Sequence, residues 1–223
     1  VQNMDWITQS SVDFLKQKRD NPFFLYLATT IPHAPEEAKR SWNANPLITP
    51  VGYLDKELTV QPARNTIPKR LKANGYKVNK DTCNMLWLDD SLGALFKTLE
   101  EQGKLDNTII FFFNDHGQNS KGTLYQGGVH NPSIVWKKGG FKVGQKLDAL
   151  VSNVDFAPTI VDMAGGDAEN KNFDGLSFLP YLNKEDSKYD HSAGHNSLNA
   201  CIEYIIICRI WVWIINTMMS QVN

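Results

Sequence analysis

The sequence predicts an α/β protein built on a mostly parallel sheet flanked by helices. Phe23 to Ala28 and Thr108 to Phe113 are apolar runs without alternation, the pattern of strands buried on both faces in a parallel sheet. Between them Met85, Leu88, Leu92, Leu95, Phe96 and Leu99 recur at steps of three and four, which lays one apolar stripe along a helix. Strand, long connection with a helix, strand is the order that parallel neighbours require.

The elements follow in turn. Trp6, Ile7, Val12, Phe14 and Leu15 stand among polar residues, which suits a surface helix ending near Lys18 to Asp20, with Asn21-Pro22 as its breaker. Phe23 to Ala28 is the first buried strand. Residues 36–80 show little periodicity and are rich in Pro, Asn and Lys, so loop and excursion are expected there. The central helix takes Asp81 as its N-cap and Gly103 as its terminator. Thr108 to Phe113 is the second buried strand and Ser133 to Trp136 a further short one. Asp155 through Ala164 reads as a helix with Pro158 in its first turn, stopped by Gly165-Gly166.

With 223 residues, 42% of them hydrophobic, the chain can bury one substantial core, and a formal charge of -1 gives no bias toward nucleic acid or membrane. Three cysteines without a Cys-x-x-Cys spacing argue against a zinc knuckle or redox motif, and an odd count argues against a complete disulfide framework. Buried thiols are expected. After Asp190 the composition changes. Cys201 to Met219 is crowded with Ile, Trp, Val and Met, interrupted by Glu203, Arg209 and Asn216, and its uncharged runs fall short of the roughly 18 to 20 residues that span a bilayer. No membrane helix is expected. Three readings stand for this stretch: a buried strand pair, an interfacial segment, or an aberrant terminus, the last favoured by the shift in composition. The expected division is therefore 1–190 as one folded part and 191–223 as an atypical apolar terminus.

The chemistry concentrates where the second apolar run stops, at Asn114-Asp115-His116-Gly117. Consecutive side chains of a strand point to opposite faces, so Asp115 and His116 reach one ion only if the backbone turns there, and Gly117 permits a turn. Asp offers a hard anionic oxygen and His a neutral nitrogen, while Lys121 can set a cation beside a bound oxyanion. Metal plus ammonium suggests an anionic ester as substrate. The competing reading of the tripeptide is a plain turn, with Asp115 bonded to backbone and His116 exposed.

Eight segments in order resemble the sulfatase family of the alkaline-phosphatase superfamily: Pro22 to Ala28, Pro32-His33-Ala34-Pro35, Leu88 to Gly93, Asp106 to Ile110, Asn114 to Gly117, Lys121 to Val129, Asp155 to Thr159 and Asp174 to Ser177. The resemblance covers residues from about 5 to about 190 and corresponds to the second half of that family's catalytic domain. It implies a partial alkaline-phosphatase-like sheet and a metal-dependent sulfuric ester hydrolase. It also implies Asp115 and His116 as metal ligands, Lys121 as a contact to the sulfate and leaving oxygen, and His33 as a hydrogen-bond donor or acid toward the sulfate ester. Calcium is the first choice of metal, with magnesium or manganese next. The substrate would be a small sulfate ester or a sulfated glycan, and the compartment secreted, periplasmic or lysosomal.

Two features depart from the family pattern. Sulfatases convert the cysteine or serine of a Cys-x-Pro-Ser-Arg-type motif into a formylglycine nucleophile. Here Cys83 is followed by Asn-Met-Leu, Cys201 by Ile-Glu-Tyr and Cys208 by Arg-Ile-Trp, so none of them is that nucleophile, and the chain is expected to be a fragment that is inactive alone. Gln126 stands where relatives carry Glu, and His130 where they carry Arg. A phosphoesterase or phosphonate monoester hydrolase of the same superfamily, and a non-catalytic remnant that binds anions or a partner, are the alternative functions. Asp89 and Asp90 read as solvated helix acids. Lys69, Arg70, Lys72, Lys77 and Lys80 read as a wet loop face, or as a surface that meets a polyanion.

Overall fold

A computed structural model describes residues 3–31, 42–117, 122–141, 144, 146, 150–169, 172–182 and 210–216. Helix α1 spans Met4–Lys16, followed by β1, Phe23–Thr29. The stretch expected to be loop holds a two-residue ribbon, β2 Ile48–Thr49 with β3 Gly52–Tyr53, and α2, Ile67–Ala73, which starts with a proline in its first turn. Helix α3 covers Lys80–Glu101. Strand β4, Thr108–Asn114, leads to the single-turn α4, Gln126–Val129, and to β5, Ser133–Lys137. Helix α5 is Phe156–Met163, α6 is Leu179–Leu182, and β6 is Ile210–Asn216.

The N-cap of α3 is Asn79, two residues before the Asp81 expected from sequence. Its side chain accepts from the Thr82 N–H at 2.9 Å, and the Thr82 hydroxyl accepts from the Asn79 N–H at 3.1 Å. This reciprocal capping box satisfies two amides that a lone Asp81 would leave free. At the other end Gly103 takes φ 64°, the left-handed conformation that only glycine adopts without strain.

The sheet order is β1-β6-β4-β5, and every pairing in it is antiparallel. The mostly parallel sheet read from the sequence is therefore corrected for the described residues. Strands β1 and β4 do run in the same direction, each being antiparallel to β6, but they are not neighbours. Ile210–Asn216 lies between them, antiparallel to both. Its β-branched and aromatic residues suit a central strand, and Ile214 is only 1% exposed. Of the readings left open for residues 201–219, a strand is the one these seven residues adopt; the remainder of 201–219 lies outside the described residues.

Helices cover both faces of β4. Ile110 joins the core of α1 and α3 with Leu15, Trp87, Leu88 and Leu95, whereas Ile109, Phe111 and Phe113 join Phe156, Met163, Phe178 and Leu182. On that second face Phe113 stacks on Phe156 at 4.6 Å, with the Phe178 ring edge-on to Phe156 at 5.5 Å. The expectation of burial on both faces holds for β4. It does not hold for β1, the edge strand among the described residues, where Phe24 is 49% exposed.

A buried polar cluster ties α1 to α3 and to the connection before α2. The Asp5 carboxylate accepts from Gln61 Nε2 and from Trp87 Nε1, each at 2.8 Å, and pairs with Arg64 Nε. Arg64 Nη2 donates to Asn3 Oδ1 at 2.7 Å, and the guanidinium lies 4.4 Å from the centre of the Trp87 ring. Asn3 Nδ2 reaches the carbonyls of Pro46 and Ile48. Between α2 and α3, Arg70 forks onto both oxygens of Asp90. Asp90 is therefore paired rather than solvated, while Asp89 is exposed as expected. The hydrogen bond to Asp90 also raises the Arg70 pKa above its ordinary value.

Arg64→Met is expected to cost about 3 to 5 kcal/mol in a urea unfolding experiment, because it leaves the Asp5 carboxylate buried and uncompensated. A loss under about 1 kcal/mol would show that Gln61 and Trp87 suffice. Burial also pushes the Cys83 thiol up in pKa. A proton held more tightly in the folded state contributes stability below the ordinary thiol pKa of about 8.5, and that contribution is lost as pH rises past it. Iodoacetamide at pH 8 should leave Cys83 unlabelled until denaturant is added, as mapped by mass spectrometry; prompt labelling of the folded chain would show that the helix interface opens.

Candidate functional site

The site is built at the carboxyl end of β4, where the two-sided core stops. Asp115 and His116 follow the last strand residue directly, and their side chains are 16% and 19% exposed. The turn that the sequence required brings them to one side, with His116 Nε2 3.8 Å from Asp115 Oδ1. The other ring nitrogen, Nδ1, lies in hydrogen-bond contact with the Gly117 carbonyl oxygen. A carbonyl only accepts, so Nδ1 carries a proton, and in the neutral imidazole the lone pair is then on Nε2. That is the tautomer a metal-binding histidine needs, fixed in the usual way by a backbone acceptor.

A hard oxygen and a neutral nitrogen 3.8 Å apart can both lie within bonding distance, roughly 2.0 to 2.6 Å, of one divalent ion. The pair therefore fits part of a metal shell. Among the described residues no group of three or more His, Cys, Asp or Glu side chains comes together as a metal site. Of the four site residues expected from sequence, the structure brings Asp115 and His116 together. His33 and Lys121 lie outside the described residues.

The level at which strands leave the sheet can still be compared. Thr29 of β1 and Asn114 of β4 both stand opposite Ile210 of β6. Their carboxyl ends thus share one edge, two strand spacings or about 10 Å apart. The Thr29 hydroxyl donates to the Ile31 carbonyl at 2.8 Å, which ties down the exit of β1.

The turn is held from the single-turn α4. The Gly117 N–H donates to the Gly128 carbonyl at 2.8 Å. A Cβ on Gly117 would stand 2.4 Å from the Gly127 carbonyl oxygen and 3.0 Å from the Gly128 carbonyl carbon. Gly117 is outside the left-handed region, so the role read for it from sequence is corrected: it is needed for close approach of two backbones, not for a special dihedral angle. Gln126 and His130, the two departures, flank this glycine pair, and the His130 N–H donates to the Gln126 carbonyl at 2.8 Å.

Further back, two other motifs brace β4. The Asp155 carboxylate is fully buried and accepts from the Ser152 N–H at 2.7 Å and the Leu176 N–H at 2.9 Å. A Cβ on Gly175 would meet the Val154 carbonyl oxygen at 2.1 Å, so this glycine too is required by a close approach. Thr159 Oγ1 accepts from the Phe178 N–H at 3.0 Å. Asp155 to Thr159 and Asp174 to Phe178 are thus one clip, which presents Phe156 and Phe178 to the underside of the strand.

Fold and turn define the class: an α/β domain that carries its polar pair just beyond the carboxyl end of the inner strand β4. The chain belongs to the sulfatase family, whose family model matches residues 2–166. It is 32% identical over 200 residues to the human (Homo sapiens) N-acetylglucosamine-6-sulfatase, an alignment that covers 80% of this chain and 35% of that protein. A ulvan-active sulfatase of Formosa agariphila is 37% identical over 110 residues, covering 48% of this chain and 18% of the relative. An arylsulfatase of Clostridium perfringens is 24% identical over 227 residues, covering 92% of this chain and 47% of the relative. The chain thus matches less than half the length of each of these relatives.

Gly117→Ala should shift the turn rather than be absorbed, because the atoms a methyl would meet are backbone. The expected cost is about 1 to 3 kcal/mol, with amide exchange accelerated at residues 114–117 and 127–129 and unchanged in α3. Unaltered exchange at Gly128 would show that the two backbones are not locked together.

Proposed function

We propose that residues 1–190, with β6 as the strand between β1 and β4 of their sheet, form the carboxyl-terminal half of the catalytic domain of a metal-dependent sulfuric ester hydrolase, of arylsulfatase-like chemistry. The observation that carries this reading is the Asp115-His116 pair at the end of β4, with the Nδ1 proton engaged by backbone and Nε2 turned to the carboxylate at 3.8 Å. Asp115 supplies an anionic oxygen to a divalent cation and His116 its Nε2 lone pair. Calcium is the preferred metal for the hard donor, with manganese and magnesium next. When bound, that cation supplies charge stabilisation to the oxygens of the ester.

The chain's own residues do the rest of the binding. Lys121, four positions beyond Gly117, sets an ammonium against the sulfate and against the charge growing on the leaving oxygen. His33, four residues past the end of β1, donates a hydrogen bond to the sulfate or a proton to the leaving group. The shared exit level of β1 and β4 supports their meeting at one oxyanion. No cysteine of these 223 residues has the Cys-x-Pro-Ser-Arg context, so the formylglycine nucleophile would come from sequence beyond them. Small sulfate esters or sulfated glycans are the proposed substrates, a class consistent with the names of the relatives. A secreted, periplasmic or lysosomal setting is proposed with them, and among the described residues no helix is long and apolar enough to cross a membrane.

Titration of the 223-residue chain with Mn²⁺, followed by electron paramagnetic resonance, is expected to show one weak site, of about millimolar affinity because two protein ligands compete poorly with water. Asp115→Ala and His116→Ala should each weaken it about tenfold or more. Binding unchanged by both substitutions would remove the metal pair from the site. In the same preparation no hydrolysis of 4-nitrophenyl sulfate is expected; turnover abolished by Asp115→Ala would instead place a working nucleophile within these residues.

A further inference from the structure

We infer that Asn131 is a positioning residue for the Asp115-His116 turn, an inference that rests on reading those two residues as metal ligands. In the register of β4 and β5, Phe113 faces Ser133, so the next residues out, Asn114 and Pro132, oppose each other. The Asn114 N–H reaches the Pro132 carbonyl at 3.3 Å, which marks this as a pair that should exchange two backbone bonds. Pro132 has no N–H to return the second. The ladder therefore lacks a donor one residue before Asp115.

The Asn131 side chain replaces that donor. Its Nδ2 donates to the Asn114 carbonyl, and its Oδ1 accepts from the Asn114 N–H at 2.9 Å. A side-chain amide has the same donor and acceptor as a peptide unit, so Asn131 acts as a substitute strand residue. On the far side of the metal pair, Gly117 is held by the Gly128 carbonyl. Asp115 and His116 are thus bracketed by bonds from one segment, residues 128–131, and the rotation of their backbone is set by it. Without Asn131 the peptide plane between Asn114 and Asp115 loses its fixed orientation. The donor pair would then lose its separation, and Nδ1 its acceptor.

The test compares wild type, Asn131→Ala, and Asn131→Ala/Pro132→Ala, in which residue 132 regains an N–H that can donate to Asn114. Three quantities are read on the 223-residue chain: Mn²⁺ affinity, the His116 tautomer from ¹⁵N chemical shifts without metal, and the urea midpoint. Asn131→Ala is expected to weaken Mn²⁺ about tenfold and to mix the tautomers, and the double variant to recover most of both. A purely structural Asn131 would lower the urea midpoint with no loss of the Nδ1–H tautomer and no rescue by Pro132→Ala, and that result overturns the inference. If Asp115→Ala leaves Mn²⁺ binding unchanged, the metal reading fails. The tautomer and its rescue then still decide whether Asn131 sets the turn.

Discussion

A single buried carboxylate holds the first layer of this structure together. Asp5 is taken out of water on α1, and its oxygens are shared among Arg64, Gln61 and the Trp87 indole. An ion that is desolvated this far is tolerable only when its hydrogen bonds are complete, and each partner is then indispensable because removing one exposes the cost of the others. Since the partners come from α3 and from the connection ahead of α2, completing the set fixes α1 against α3 and pins an otherwise irregular stretch. Asn3 extends the same network to the β2 strand through the Ile48 carbonyl. The floor on which β4 lies is defined by that assembly.

The second layer works by shape where the first works by charge. Phenylalanines from the Asp155 and Asp174 motifs press on β4 from the other face, so the strand is held between two cores and cannot rotate. What leaves such a strand leaves in a defined direction. Ligand sites benefit from this because a pair of donors must be held to fractions of an ångström, which a loop alone does not supply. Rigid strand, missing donor at Pro132, side-chain substitute and glycine contact succeed one another within a few residues of Asp115. The turn is set by backbone contacts more than by the Asp115 and His116 side chains themselves.

Much of the fold was legible because it is written in local periodicity. The steps of three and four marked α3, and unbroken apolar runs marked β1 and β4. Asp115 and His116 stood out because an acid and an imidazole follow such a run without a spacer. What escaped depends on distance in the sequence. Asp5 and Arg64 are ordinary surface-type residues until the fold brings them together, and nothing within a window around Asp90 announces Arg70. The capping box at Asn79 and Thr82 was readable, but the acid at Asp81 offered a competing signal. Asn131 carried a quiet clue, an asparagine next to a proline that begins a strand. The central place of Ile210–Asn216 could not be read from pattern alone, since an apolar segment states that it is buried and not between which strands.

That central place has a kinetic consequence. Strand β6 is the last of the described strands along the chain, yet it pairs Asn216 with both Phe23 and Thr108. During synthesis β1 and β4 must therefore wait, edges open, while the chain between them and their common neighbour is made. Closing loops of that size costs entropy before any pairing returns it. The helical layer, whose contacts are closer in sequence, can assemble first, and β6, the last of the described strands in the chain, then enters between its two neighbours. Until then the facing edges of β1 and β4 are without β6, and the same hydrogen-bonding edges that later take it are open to a strand from another copy.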